Sequence, residues 1–326
     1  MPLPLKSIKG TKIAIVGAGS VGATTAFALL MSDLAADIVI IDIDVHRAEG
    51  EVADLNHAAH FAQARVRVGT YADCAGAAAV IITAGVNQKH GQTRLDLLRT
   101  NHELFEDIVP QIAIAAPDTV LIIATNPCDV LTHSAKQLSR FPASKVIGTG
   151  TFLDTNRFRH ELSKTYGVSP RNIHAIIIGE HGDSQLPVWS LATISGMRLK
   201  DYCVQAGIPY SHDEMEACAV RTKQAAYEII QRKGKTNYGV ASVLVSLVEA
   251  IVTDGDAIMT VSRVGDYVGV QDVALSMPCK VNRDGAHQEV PLLLNEEETE
   301  MLRQSAEEIK GAILSIEKED EGDRLI

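Results

Sequence analysis

Short apolar runs alternate with longer stretches of helical periodicity through the first half of the chain. The apolar runs predict six strands, at residues 12–16, 37–41, 66–69, 80–83, 120–124 and 146–149. The stretches between them predict helices, notably at 21–31, 45–59, 94–116 and 130–138. Such alternation is typical of βαβ units. It predicts an α/β fold with a doubly wound parallel sheet, in which ligands bind beyond the carboxyl ends of the strands.

The second half of the chain has a different pattern. It predicts helices at 153–166, 212–232, 238–253 and 296–316. A strand is predicted at 173–178, and shorter strands within 257–277. We therefore expect two domains with a boundary near Gly150, a nucleotide-binding domain at 1–150 and an α+β domain at 151–326.

The net charge, the apolar runs and the cysteines of the chain limit which binding partners and which cell compartment we expect. The 326 residues carry a formal charge of −11, which argues against nucleic acid and anionic membranes as partners. The amino-terminal segment lacks the apolar core of a signal peptide, and no run approaches the ~20 apolar residues of a membrane span. The five cysteines are scattered without a C-x-x-C pair, which predicts reduced thiols in a cytosolic protein and no metal site.

A glycine turn follows the first predicted strand. Gly17, Gly19 and Gly22 form a G-x-G-x-x-G motif that opens a helix, and the next strand ends at Asp42. This is the fingerprint of a Rossmann dinucleotide-binding unit: the turn admits a pyrophosphate to the helix N-terminus. The acid favours NAD over NADP, because it would repel a 2′-phosphate. The alternative is a turn that only joins strand to helix.

Three residues of the second half suit acid–base chemistry on a carboxylic acid. His181 lies between glycines after a predicted strand, and histidine has a side-chain pKa near neutrality. Asp154 and Arg157 share one helix face, so the carboxylate could orient the imidazole while the guanidinium grips a substrate carboxylate. The alternatives are an ordinary histidine and a surface ion pair.

The glycine-bounded polar segment at 85–94 follows another predicted strand. It is typical of a mobile lid that excludes water when it closes. Arg94, at its far end, could then polarise a reacting carbonyl. A plain surface loop with a solvated arginine fits the same spacing.

Together these motifs resemble the NAD-dependent L-lactate/malate dehydrogenase family, and within it the bacterial L-lactate dehydrogenases. The resemblance covers nearly the whole chain, from about residue 12 to 316. It is carried by GAGSVG at 17–22, AGVNQKHGQTRLDLL at 84–98, ATNPCD at 124–129, LDTNRFR at 153–159 and IIGEHGDSQLPVWS at 177–190.

The resemblance implies a role for each motif residue. His181 would be the proton donor and acceptor, Asp154 its partner, Arg157 the carboxylate clamp and Arg94 the group that polarises the carbonyl. Asn126 would orient the substrate oxygen. Residues matching positions that contact NAD are Gly17, Gly19, Val21, Gly22, Asp42, Arg47, Tyr71, Gly85, Val86, Ala124, Asn126 and Thr149.

Substrate choice is implied by two further matches. Gln88 stands where an arginine would pair the second carboxylate of oxaloacetate, and Thr236 matches a residue that lines the methyl pocket for pyruvate. Both favour pyruvate and L-lactate. Many relatives carry an aromatic residue where this chain has Asn237. Slightly larger 2-oxo acids therefore remain candidate substrates. A malate or broader 2-hydroxyacid dehydrogenase and a catalytically inactive NAD-binding protein remain the alternatives.

A second site is also implied. Arg159 and His174 match the cationic pair with which many bacterial relatives bind fructose 1,6-bisphosphate at a subunit interface. The resemblance therefore implies activation by that sugar phosphate, a homotetramer and a cytoplasmic location.

Overall fold

The computed structural model describes residues 10–59, 63–86 and 94–323. Gln88 therefore lies outside the described residues, as does most of the predicted lid. A helix begins at Arg94, but the side chain of that residue lies outside the described part.

In the described part of the chain, nine strands form one large sheet, and its first six strands come from the first half of the sequence. The first six are Lys12–Val16 (β1), Asp37–Ile41 (β2), Arg65–Val68 (β3), Ala79–Ile82 (β4), Val120–Ile123 (β5) and Val146–Gly148 (β6). These six pair in parallel, as the predicted doubly wound α/β fold requires. The predicted strands were right in number and place, with end shifts of one residue.

The second half contributes three antiparallel strands to the same sheet, Ala257–Tyr267 (β12), Val270–Asn282 (β13) and Gly285–Glu289 (β14). β12 pairs with β6 through Ser262 and Gly148, so the sheet continues past the predicted boundary at Gly150. The order across the whole sheet is β3-β2-β1-β4-β5-β6-β12-β13-β14. The strands predicted within 257–277 are present, but they are longer than expected: β12 has 11 residues and β13 has 13, ending at Asn282. The two-residue turn at Val268 and Gly269 has positive φ at both positions, which suits a tight hairpin between long twisted strands.

Helices cover both faces of the sheet. They are Ser20–Ser32 (α1), Val45–Ala58 (α2), Arg94–Ala115 (α3), Cys128–Ser139 (α4), Phe152–Tyr166 (α5), Leu199–Ala206 (α6), His212–Lys233 (α7), Tyr238–Thr253 (α8) and Glu296–Asp323 (α9). Ile13 and Ile15 of β1 pack with α1, α2 and α8, whereas Ala14 and Val16 pack with α3, α4 and α9. This alternation is the two-residue period of a strand buried on both faces.

A smaller unit surrounds α5, where Phe158 packs edge-on against Trp189. Its short strands are Ile173–His174 (β7), Ile177–Ile178 (β8), Leu186–Pro187 (β9), Thr193–Ile194 (β10) and Met197–Arg198 (β11). The single strand predicted at 173–178 was wrong: β7 pairs with β10, and β8 with β9. The Ile177 N–H donates to the Thr155 hydroxyl of α5 instead of to a neighbouring strand, which interrupts the run.

All five cysteines are buried and free of disulfides. Of the described residues, none belongs to a helix with the length and apolarity needed to cross a bilayer. Within the same ranges, no cluster of three or more His, Cys, Asp or Glu side chains is placed to hold a metal ion.

Candidate active site

The glycine turn lies at the carboxyl end of β1 and leads into α1. Gly17 has φ of 110°, in the region that favours glycine, and a Cβ there would lie 2.6 Å from the Ala84 nitrogen. A Cβ on Gly22 would overlap the Gly17 carbonyl oxygen, so helix and turn pack in direct contact. A Cβ on Gly19 would meet nothing within 4 Å. The turn is therefore packed on one side and open on the other.

The residues around this turn fit a dinucleotide. No side chain caps the N-terminus of α1, and its first turn contains no acid, so its N–H groups and positive dipole are available to a diphosphate. Asp42 follows β2, and its carboxylate accepts from the Ala18 N–H at 2.5 Å and from the Asp44 N–H at 2.8 Å. These bonds hold the acid beside the turn, where the ribose of NAD would lie. Arg47 is exposed on the first turn of α2, whose N-terminal cap is Asp44.

The other residues matched to NAD contacts lie along the same edge of the sheet. Gly85 and Val86 follow β4, Asn126 follows β5 and Thr149 follows β6. This edge also carries the remaining matches, which are Val21 in α1, Tyr71 after β3 and Ala124 after β5.

Asn101 of α3 joins two of these loops and was missed by the sequence analysis. Its buried amide accepts from the Val86 N–H at 2.9 Å and donates to the Asn126 carbonyl oxygen at 2.8 Å. The loops after β4 and β5 are thereby held in one arrangement. Its position in a predicted helix gave no sign of this role, because the contact depends on how α3 packs.

The structure brings His181, Asp154 and Arg157 together. Asp154 is buried in the first turn of α5, and one carboxylate oxygen lies 2.6 Å from His181 Nδ1. The other oxygen accepts from Arg157 Nη1 at 2.9 Å. The His181 and Arg157 side chains are 23% and 14% exposed, so both retain access to a ligand. One carboxylate thus links an imidazole and a guanidinium at the same place.

The charges in this group reinforce one another. Burial alone lowers the pKa of His181, but the charge and hydrogen bond of Asp154 outweigh it, so that pKa lies above its ordinary value. Burial likewise raises the pKa of Asp154, and His181 and Arg157 reverse this, so that pKa is lowered. The arrangement favours an ionised carboxylate beside an imidazolium.

Asp129 is a second buried acid beneath His181, and the sequence analysis gave it no role. Its carboxylate accepts from the His181 backbone N–H at 2.7 Å. Burial raises the pKa of Asp129 to about 6, although Ser262 and His181 oppose this. Asp129 therefore fixes the backbone that carries the imidazole. The one feature of the sequence that could have indicated this role is its position shortly after β5, at the carboxyl end of the parallel strands.

Thr236 lies between α7 and α8, half-buried, and its neighbours are tied to α1. Asn237 is buried, donates to the Thr24 hydroxyl at 2.8 Å and accepts from Lys233 at 2.8 Å. Its side chain is therefore held against the helix that begins at the glycine turn.

Comparison with known proteins agrees with this geometry. Residues 11–148 match the model of the lactate/malate dehydrogenase NAD binding domain, and residues 151–320 match that family's alpha/beta C-terminal domain. The chain belongs to the lactate/malate dehydrogenase family. Its cofactor is NAD, since its amino-terminal half is the NAD-binding domain of that family.

Individual members of the family are similar over almost the whole chain. A probable L-lactate dehydrogenase of Schizosaccharomyces pombe is 50% identical, over 95% of this chain and 94% of its own. An L-lactate dehydrogenase of Acetivibrio thermocellus is 45% identical, over 94% and 97%. The crystal structure of a minor L-lactate dehydrogenase from Enterococcus mundtii superposes with a TM-score of 0.90 at 38% identity, over 94% of this chain and 98% of its own.

Arg159 and His174, to which the resemblance assigns an effector, lie close together in the chain fold. Arg159 Nε donates to the Ala175 carbonyl oxygen at 2.9 Å, and His174 precedes that residue at the exposed end of β7. Burial lowers the pKa of Arg159. Arg159 is two residues from Arg157 along α5, a spacing that puts the two side chains on different faces of the helix.

Proposed function

We propose that this chain is an NAD-dependent L-lactate dehydrogenase that interconverts pyruvate and L-lactate. The observation that carries the proposal is the buried Asp154 carboxylate, which bonds His181 with one oxygen and Arg157 with the other. A proton donor and a carboxylate-binding cation therefore lie side by side at the edge of an NAD-binding sheet. The similar proteins named L-lactate dehydrogenase support the same substrate.

In this proposal Arg157 binds the substrate carboxylate. Its Nη1 is held by Asp154, so the guanidinium is already oriented when the keto acid arrives. A fixed planar fork suits a carboxylate better than a flexible ammonium does.

His181 moves the proton. Because the Asp154 carboxylate is ionised and accepts from Nδ1, the other ring nitrogen, Nε2, is left to exchange a proton with the substrate oxygen. Protonated His181 donates during pyruvate reduction, and neutral His181 accepts during lactate oxidation. When bound, NAD supplies or accepts the hydride; the protein contributes position and charge.

The remaining roles rest on the resemblance. Arg94 polarises the ketone oxygen when the lid closes, and Asn126 orients that oxygen. Gln88 is uncharged, so a second carboxylate, as in oxaloacetate, would be left unpaired in a closed, dry site. Thr236 lines the pocket for the methyl group. These assignments favour pyruvate over oxaloacetate.

Three broader properties belong to the same proposal. Fructose 1,6-bisphosphate activates the enzyme through Arg159 and His174, the enzyme is a homotetramer, and it acts in the cytoplasm. The chain is also proposed to consist of an NAD-binding domain at 1–150 and a catalytic α+β domain at 151–326. The proximity of Arg159 to the end of β7 supports the effector site.

Steady-state rates with NADH and a panel of 2-oxo acids test the proposed substrate. We expect kcat/KM for pyruvate to exceed that for oxaloacetate and for longer 2-oxo acids. A preference for oxaloacetate would indicate a malate dehydrogenase. NADH binding without turnover of any member of the panel would indicate an inactive NAD-binding protein.

A further inference from the structure

A lysine from the second half of the chain contacts the N-terminus of α1, next to the glycine turn at 17–22. Lys235 lies in the segment between α7 and α8, and its Nζ donates to the Ser20 hydroxyl at 3.0 Å. Ser20 is the first residue of α1 and directly follows Gly19, where an added Cβ would meet nothing within 4 Å. The ammonium of Lys235 is therefore at the mouth of the site where the diphosphate of NAD would lie.

The segment that carries Lys235 is held in place from both sides. Buried Asn237 donates to Thr24, one turn along α1, and accepts from Lys233 at the end of α7. The ammonium of Lys233 also lies 3.8 Å from the centre of the Tyr238 ring. The position of Lys235 is thus set by contacts to α1 rather than by the side chain alone.

The ammonium of Lys235 and the positive end of the α1 dipole together favour the binding of an anion. A helix N-terminus carries positive partial charge, and cations there are unfavourable unless an anion is bound. Lys235 nevertheless lies at the N-terminus of α1, whose first turn has no acid. Asp42, the acid beside the glycine turn, accepts instead from the Ala18 and Asp44 N–H groups. Among the described residues, no carboxylate forms an ion pair with Lys235 that would offset this. A diphosphate would satisfy both the lysine and the helix.

We propose that Lys235 is a cofactor-binding residue that pairs with the diphosphate of NAD across the seam between the two halves of the chain. In the absence of cofactor, the Ser20 hydroxyl holds the ammonium close to this position. When the cofactor is bound, the lysine adds a charge-assisted hydrogen bond to those of the helix N-terminus. Because Lys235 adjoins Thr236, cofactor binding also anchors the segment that lines the proposed methyl pocket.

Equilibrium binding without keto acid tests this inference, so the result does not depend on which substrate the enzyme reduces. Lys235→Gln should raise the Kd for NADH and for ADP-ribose about 5- to 10-fold at low salt. The loss should shrink as salt rises, because the lysine is exposed and its charge is screened. Binding of adenosine, which has no diphosphate, should be unchanged.

Two variants complete the design. Lys235→Arg keeps the charge and should retain most of the affinity for ADP-ribose. Lys200→Gln removes another exposed lysine, on α6, and should bind all three ligands as the wild type does. The inference is overturned if Lys235→Gln binds ADP-ribose with wild-type affinity at low salt, or if it loses affinity for adenosine to the same degree.

Discussion

Asp154 and His181 share a hydrogen bond of 2.6 Å between a carboxylate oxygen and Nδ1. Asp154 is 3% exposed, so this bond is formed away from bulk water. A buried carboxylate beside an imidazole fixes the orientation of the ring and stabilises its charged form. The proposed chemistry depends on this pair.

Replacement of the imidazole should separate binding from turnover. We expect His181→Asn to lower kcat for pyruvate reduction by about 100-fold or more, because no group of suitable pKa would remain to donate the proton. The Kd for NADH, measured by fluorescence, should stay close to the wild-type value. Retained turnover in this variant would exclude His181 as the acid and base.

The pH dependence follows from the direction of the His181 shift. Asp154 raises the pKa of His181, so pyruvate reduction should be sustained below that pKa and fall as the pH rises through it. Lactate oxidation needs the neutral ring and should rise over the same interval. Asp154→Asn removes the charge, and we expect the falling limb of the kcat/KM profile to move to lower pH.

Asp129→Asn should be compared with Asp154→Asn in the pH profile of kcat/KM. It keeps an acceptor for the His181 backbone N–H and removes a charge that also raises the pKa of His181. The limb should therefore move in the same direction, by less than in Asp154→Asn. An unchanged limb in both variants would show that His181 is not the group that titrates.

The arginine beside Asp154 should act on substrate binding. Arg157→Lys keeps the charge but loses the planar fork, and we expect KM for pyruvate to rise about 10-fold or more. The Kd for NADH should not change. Arg232→Lys, at an arginine whose side chain is 79% exposed, provides the control and should have wild-type KM. An equal rise in both variants would argue against a carboxylate clamp at Arg157.

Two glycines of the same turn should respond differently to alanine. At Gly22 a Cβ would overlap the Gly17 carbonyl oxygen, so Gly22→Ala should lower the free energy of unfolding by about 1–3 kcal/mol. At Gly19 a Cβ has free space, so Gly19→Ala should keep the wild-type Tm but raise the Kd for NADH, because the methyl group would face the diphosphate. Thermal unfolding and NADH titration of both variants measure this difference. Equal Tm values would contradict the packing argument.

The effector site gives a kinetic prediction. Fructose 1,6-bisphosphate should lower KM for pyruvate in the wild type, by favouring the active quaternary state. His174→Gln changes an exposed side chain and should weaken the response without altering basal KM. Arg159→Gln should abolish it, although this arginine also bonds the Ala175 carbonyl oxygen. Wild-type kinetics that do not change when the sugar phosphate is added would refute the effector proposal.

Features encoded within a few neighbouring residues could be predicted from the sequence. The six parallel strands and the glycine turn were predicted correctly. Both depend on residues that are close together in the sequence, namely the spacing of apolar residues and the glycines of the turn. The pairing of Asp154 with Arg157 also follows from a spacing of three along one helix. The hairpin at Val268 and Gly269 was missed, since a positive-φ valine is not a usual turn residue.

Contacts between distant parts of the chain depended on packing. His181 meets Asp154 from 27 positions away and Asp129 from 52 positions away, and Lys235 meets Ser20 across 215. No periodicity encodes such pairs, because they depend on which helix faces cover the sheet and where its strands end. The same is true of the run at 173–178, which α5 divides between two sheets by binding Ile177 through Thr155. Local residue patterns were enough to identify the six parallel strands and the glycine turn. Burial of the helices on both faces of the sheet brought the acid, the imidazole and the lysine together with their distant partners.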